Sequence, residues 1–323
     1  MKASRQRLLG WIGLTILLLW SGFLDVGCSR RTAADEYRAA GLAYAKQGDY
    51  QKALDAFSHA IQARSDFPEA YFDRGVVYDK LQRYDQALAD LSRAIELAPK
   101  EGWVYNARGQ VYEHRGQWDR ARGEYSQAIQ LDPGTATYYV NRGLAYVVLG
   151  NRDAGLADYN EAIRLAPELE ETYGRRGAAY DNMGLLDLAL ADYNTAIRLN
   201  PQDARMYDLR GELYKGRGER KSALDDFSKV IAIDAGYDVA YCHRGSVYLS
   251  EGNTTQALAD VNHCLELNDK LAEGYYGRSQ VYRTLGDHDR EERDLRAVLQ
   301  TPDGQPFQVE VTKRLAELGA ATH

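Results

Sequence analysis

Two thiols and two imidazoles sit in mirrored order in this chain, as Cys242-His243 and His263-Cys264. Thiolates and imidazoles bind divalent metals, and two thiols in an oxidising space can form a disulfide. The intervals match no metal-ligand signature, so no metal site is assigned. A Cys242–Cys264 disulfide stays open beside the plainer reading of two small buried residues. The rest of the chain offers no reaction centre. Gly-x-Ser-x-Gly, His-Glu-x-x-His, a phosphate loop and Gly-x-Gly-x-x-Gly after a strand are all missing. The expectation is a protein that is not an enzyme and needs no cofactor.

The elements that position these groups follow from a repeat. Arg-Gly recurs as Arg74-Gly75, Arg108-Gly109, Arg142-Gly143, Arg176-Gly177, Arg210-Gly211 and Arg244-Gly245, at steps of 34 residues or a multiple. With Gly143 as position 8, eight units follow without a gap: 34–67, 68–101, 102–135, 136–169, 170–203, 204–237, 238–271 and 272–305. Positions 4 and 11 are tyrosine in every unit, which accounts for 16 of the 24 tyrosines. Glycine at position 15 (Gly150, for example) ends a first helix, and Pro99, Pro133, Pro167 and Pro201 at position 32 end a second. Cys242 and Cys264 occupy positions 5 and 27 of unit 7, which an antiparallel helix pair brings to similar height.

The small residue at position 8, Tyr at 11, Ala at 20, aromatic or Leu at 24, Ala at 27 and Pro at 32 resemble the tetratricopeptide repeat family. The likeness covers residues 34–305. It implies an all-α, right-handed superhelical solenoid of eight helix-turn-helix repeats. Departures gather at the ends, where unit 8 has Ser279 for Gly and Glu291 for Ala. The stripe Phe307, Val311, Leu315 and Leu318 reads as a C-terminal cap helix within 306–323.

A second charge ladder lies at position 23. Every unit with arginine at position 7 has an acid there, giving Arg74–Asp90, Arg108–Glu124, Arg142–Asp158, Arg176–Asp192, Arg210–Asp226, Arg244–Asp260 and Arg278–Asp294. Unit 1 has Ala40 and Ala56 instead. The joint absence points to structural ion pairs inside each repeat.

The family resemblance implies that positions 2, 5, 9 and 12 of the first helices line a concave groove for partners. Nine acids stand there against four bases. The groove candidates are Phe72, Asp79, Trp103, Asn106, Gln110 and Glu113 in units 2 and 3. In units 5 to 8 they are Asp181, Asp208, Glu212, Lys215, Tyr276 and Arg283. The acidic bias suits basic or polar extended segments of other proteins. The alternative is binding of cell-wall glycan or a secreted substrate through aromatics such as Trp103 and Tyr276. Without residues 1–27, 37 basic and 46 acidic side chains remain, a balance that argues against nucleic acid as a partner.

Lys2, Arg5 and Arg7 precede 17 uncharged residues, Leu8 to Leu24. This is the pattern of a targeting segment over residues 1–27. Gly27-Cys28 resembles a bacterial lipoprotein signal with Cys28 as the lipid acceptor. Asp25 departs from that pattern, so an uncleaved anchor and an ordinary cleaved signal also remain open. Each alternative places the repeats outside the cytoplasm, after a short leader 28–33. The expectation is therefore a scaffold in the bacterial cell envelope, membrane-associated through its N-terminus, with its oligomeric state open.

Overall fold

The computed structural model describes residues 32–321, with side chains to Gly319. Seventeen α-helices run through them in consecutive antiparallel pairs, and no strand occurs among the described residues. The chain forms two compact units, one ending at Pro99 and the other starting at Lys100. The first holds α1 (Ala33–Lys46), α2 (Tyr50–Ala63), α3 (Pro68–Lys80) and α4 (Tyr84–Leu97). The second begins with α5 (Gly102–His114), α6 (Trp118–Leu131), α7 (Ala136–Val148), α8 (Arg152–Leu165), α9 (Glu170–Asn182) and α10 (Leu186–Leu199). It continues with α11 (Ala204–Gly216), α12 (Arg220–Ile233), α13 (Asp238–Ser250), α14 (Thr254–Leu267), α15 (Ala272–Leu285), α16 (His288–Val298) and α17 (Gln308–Ala321). No helix among the described residues is long and apolar enough to cross a membrane. The targeting segment and Cys28 lie outside the described residues.

Each first helix stops where position 15 turns left-handed. Seven glycines adopt φ of +70 to +84° there, and Gln82 does the same work at +58°. Within a pair, the ring at position 24 is the largest core piece. Tyr125, Tyr159 and Tyr193 are fully buried, with Phe57, Phe227, Leu91 and Leu295 at the same position in other repeats. This explains glycine at position 8: a Cβ on Gly143 would lie 2.8 Å from the Tyr159 ring. The glycine therefore makes room for the ring at position 24 more than for the small residue at position 20.

The arginines hold the pairs in register. Arg142 donates from Nε and Nη2 to both carboxylate oxygens of Asp158, each at 2.8 Å. Its third nitrogen, Nη1, reaches Ser126 of the preceding repeat at 3.4 Å. The planar fork thus makes two bonds inside its repeat and one behind it. Arg74, Arg176, Arg210, Arg244 and Arg278 repeat the pattern on Ser58, Asn160, Asn194, Ser228 and Asn262. Arg108 meets Glu124 at 2.8 Å. The tyrosine ladders flank this fork, with the Arg142 guanidinium 5.6 Å from the Tyr139 centroid and 5.8 Å from Tyr146. The Tyr139, Tyr173, Tyr207, Tyr241 and Tyr275 hydroxyls donate to carbonyls six residues back, in the turn entering each repeat.

The two ends depart from this pattern. Repeat 1, lacking the arginine, is tied to repeat 2 by Arg38 on Asp73 at 2.6 Å. Glu291, where other repeats have a small residue, is 1% exposed and accepts from Arg314 of α17 at 2.7 Å. Val311 and Leu318 bury α17 against repeat 8. Pro306 and Phe307 fall in a short 3₁₀ turn, so the cap helix begins at Gln308.

Arg142→Ala leaves the buried Asp158 carboxylate uncompensated and is expected to cost about 3 kcal/mol. Arg142→Ala/Asp158→Ala together should cost clearly less than the sum of the single changes in urea unfolding. Additive losses would show that the two side chains do not act as a unit.

Candidate functional site

The mirrored thiols and imidazoles separate in space. Cys242 on α13 and Cys264 on α14 are joined in a disulfide, both nearly inaccessible to solvent. The two histidines turn away from each other. His263 is half exposed, pairs with Glu266 and packs edge-on to Tyr241. His243 points between α11 and α15 and is 8% exposed.

His243 is enclosed by carboxylates from the helices on either side. Its Nδ1 lies 2.9 Å from Asp208 and 3.5 Å from Glu212 on α11, and its Nε2 lies 3.3 Å from Glu273 on α15. Lys215 closes the group at 2.6 Å from Glu212. Burial by itself pushes the imidazole pKa down, but hydrogen bonds to Asp208 and Glu273 and the Glu212 charge override it, holding His243 up at about 10. The imidazole is therefore a fixed cation at neutral pH. Burial also opposes ionisation of Glu273, yet the bond from His243 prevails and its pKa is lowered.

This cluster changes the meaning of the acidic bias. Asp208, Glu212 and Glu273 neutralise His243 and Lys215, so they do not form a bare anionic wall. Other groove candidates are also engaged within the chain. Glu113 accepts from the buried Tyr125 hydroxyl at 2.6 Å, Asn106 accepts from Asn141 at 2.9 Å, and the Trp103 indole donates to Glu101 at 2.9 Å. Phe72, Asp79 and Asp181 are half buried, whereas Gln110 and Arg283 are exposed. Trp103 and Tyr276, expected as open aromatic platforms, are instead half buried, and Phe307 stacks 4.8 Å from Tyr276.

Two features escaped the sequence reading. One is the column at position 25, Ser58 through Asn262, that receives the third arginine nitrogen. Its 34-residue spacing was visible, but Ser and Asn look like ordinary surface residues. The other is a clasp between position 5 of one repeat and position 6 of the next, seen in Arg38–Asp73, Asn106–Asn141 and Asp208–His243. Its members differ chemically, so no column betrays it. Among the described residues, no group of His, Cys, Asp and Glu is arranged to hold a metal ion.

Tetratricopeptide repeat models match residues 68–101, 170–203, 91–123, 136–169 and 239–271. A TPR repeat model matches 41–82 and 114–150. The chain is a tetratricopeptide-repeat protein, a class whose fold suggests a protein–protein interaction scaffold. Among solved structures, a chain of the APC/C hetero-tetramer Cut9–Hcn1 aligns at 14% identity and TM-score 0.66, over 88% of this chain and 55% of that one. Yeast Tom70 aligns at 15% identity and TM-score 0.61, over 92% and 66%. A tetratricopeptide repeat protein from Parabacteroides merdae aligns at 19% identity and TM-score 0.53, over 88% and 98%. This chain thus spans about half the length of the Cut9–Hcn1 chain it matches. The comparison with curated proteins finds no match.

His243 binds a proton more tightly in the folded state than its ordinary value of 6.5 allows when unfolded. Its stabilisation is fully present below pH 6.5 and is lost as pH rises towards 10. Relative to a His243→Gln variant, wild-type stability should fall across that window by up to about 1.4 kcal/mol per pH unit. Parallel stability curves for the two proteins from pH 7 to 10 would refute the raised pKa.

Proposed function

We propose that this chain is a non-enzymatic protein–protein interaction scaffold that holds extended polypeptide segments along the inner faces of its first helices. The observation that carries the reading is the contrast between position classes. Positions 4, 7, 8, 11 and 23 repeat almost unchanged and form the scaffold's internal bonds. Positions 2, 5, 9 and 12 vary from repeat to repeat. They are largely aliphatic in repeat 4 (Val140, Leu144, Val147) and charged in repeat 6 (Arg205, Asp208, Glu212, Lys215). A surface that varies while the fold repeats is free to serve recognition.

We further propose that the repeats work outside the cytoplasm, in the bacterial cell envelope, associated with a membrane through the N-terminus. The Cys242–Cys264 disulfide supports this, because such bonds persist in oxidising compartments. Cys28 is the proposed lipid acceptor. Fatty-acid labelling of the wild type should disappear in Cys28→Ala, and a wild type that never takes up label would remove the lipoprotein form of the reading.

The scaffold reading is tested by crosslinking in intact cells. A triple variant of the inner face, Gln110→Lys, Leu144→Lys and Asp181→Lys, should lose most captured partner, with helical content unchanged. A control of equal size on outer exposed positions, Asp153→Lys, Asp225→Lys and Lys229→Glu, should keep it. Equal capture by both variants would place recognition elsewhere.

A further inference from the structure

The clasp between positions 5 and 6, seen at three joins, is absent at the join of repeats 7 and 8, where neither position offers a free side chain. In repeats 4 to 7, position 6 is filled by Asn141, Arg175, Leu209 and His243, and His243 lies 5.3 Å from the Phe227 ring. In repeat 8 that position is Gly277. Its partner at position 5 is Cys242, whose sulfur is already bonded to Cys264. With neither clasp side chain available, a cavity of about 250 Å³ opens between α13 and α15.

The cavity has a definite chemistry. Gly245 and Gly277 expose helix backbone, Cys242 and Leu249 supply an apolar side, and Tyr276 stacked on Phe307 supplies an aromatic wall. Glu273 and Gln280 are its polar edge. One Glu273 oxygen accepts from His243, while Oε2 and the Gln280 amide make no hydrogen bond within the described chain. Lys215, neutralised by Glu212, stands at the mouth.

We propose that this cavity receives a tryptophan or tyrosine side chain from an extended segment of the partner protein. The proposal rests on the inner face being the binding surface. A ring with one N–H or O–H donor fills the apolar slot, packs against the Tyr276–Phe307 wall and donates to Glu273 Oε2. An aliphatic side chain leaves that oxygen and the Gln280 amide desolvated without partners. A lysine or arginine carries a full charge into the slot lined by Cys242 and Leu249, and a carboxylate meets Glu273. An aromatic donor packs on the wall and satisfies Glu273 Oε2 at once.

The test uses the full chain and the capped heptapeptide acetyl-Gly-Ser-Ser-X-Ser-Ser-Gly-amide, with X as Trp, Tyr, Leu, Arg or Ala, measured by calorimetry. The Trp and Tyr peptides should bind at least tenfold more tightly than the other three. Gly277→Leu, which supplies the side chain that Leu209 provides in repeat 6, should abolish that preference. A Cβ at Gly277 meets only Val261, at an ordinary 3.4 Å. If the leucine disturbs folding, Gly277→Ala narrows the slot and should give a partial loss. Equal binding of all five peptides, or an unchanged preference in both Gly277 variants, overturns the proposal. Crosslinking separates the two readings. If Gly277→Leu captures partner as wild type does while the inner-face triple variant fails, the pocket is wrong and the scaffold stands. If the triple variant also captures normally, the scaffold reading itself is wrong.

Discussion

One guanidinium in each of repeats 2 and 4 to 8 sets much of this molecule's geometry. From position 7 it reaches the acid at 23 with two nitrogens and the preceding repeat's polar residue at 25 with the third, between two tyrosine rings. The fork is rigid and planar, so satisfying all three directions permits one placement of the two helices and one placement of the repeat behind them. Hydrophobic burial supplies most of the stability in such stacks, but it is tolerant of small slips. The arginine is not.

Much of this was legible in the sequence because it recurs. The tyrosine columns, the turn glycines and the paired Arg–acid ladders gain force from being counted eight or seven times, and the empty pair Ala40 and Ala56 served as an internal control. What recurs only once was harder to read. His243 looked like a member of a thiol–imidazole cluster because Cys242 is its neighbour, yet successive helical residues face different directions. Its true partners, Asp208 and Glu273, lie 35 and 30 residues away. Glu291 stood out only as a departure from the repeat pattern, and its partner Arg314 comes from α17, outside the repeats.

The acidic count of the inner face misled for a similar reason. Charge is additive along a sequence, but its effect depends on neighbours. Asp208, Glu212 and Glu273 read as three free anions when tallied by position. Around one buried imidazolium, with Lys215 behind, they form a largely neutral polar plug. Glu113, bound to Tyr125, is held in a comparable way.

The disulfide has a mechanical corollary. Repeat arrays unravel from their ends, one hairpin after another, because each repeat leans only on its neighbours. Repeat 1 holds to repeat 2 through Arg38 on Asp73 and Arg74 on Ser58. The two helices of repeat 7 cannot separate fully while Cys242 and Cys264 remain joined, since they belong to one covalent loop. Unravelling that reaches repeat 7 therefore cannot part its two helices beyond the reach of that covalent loop.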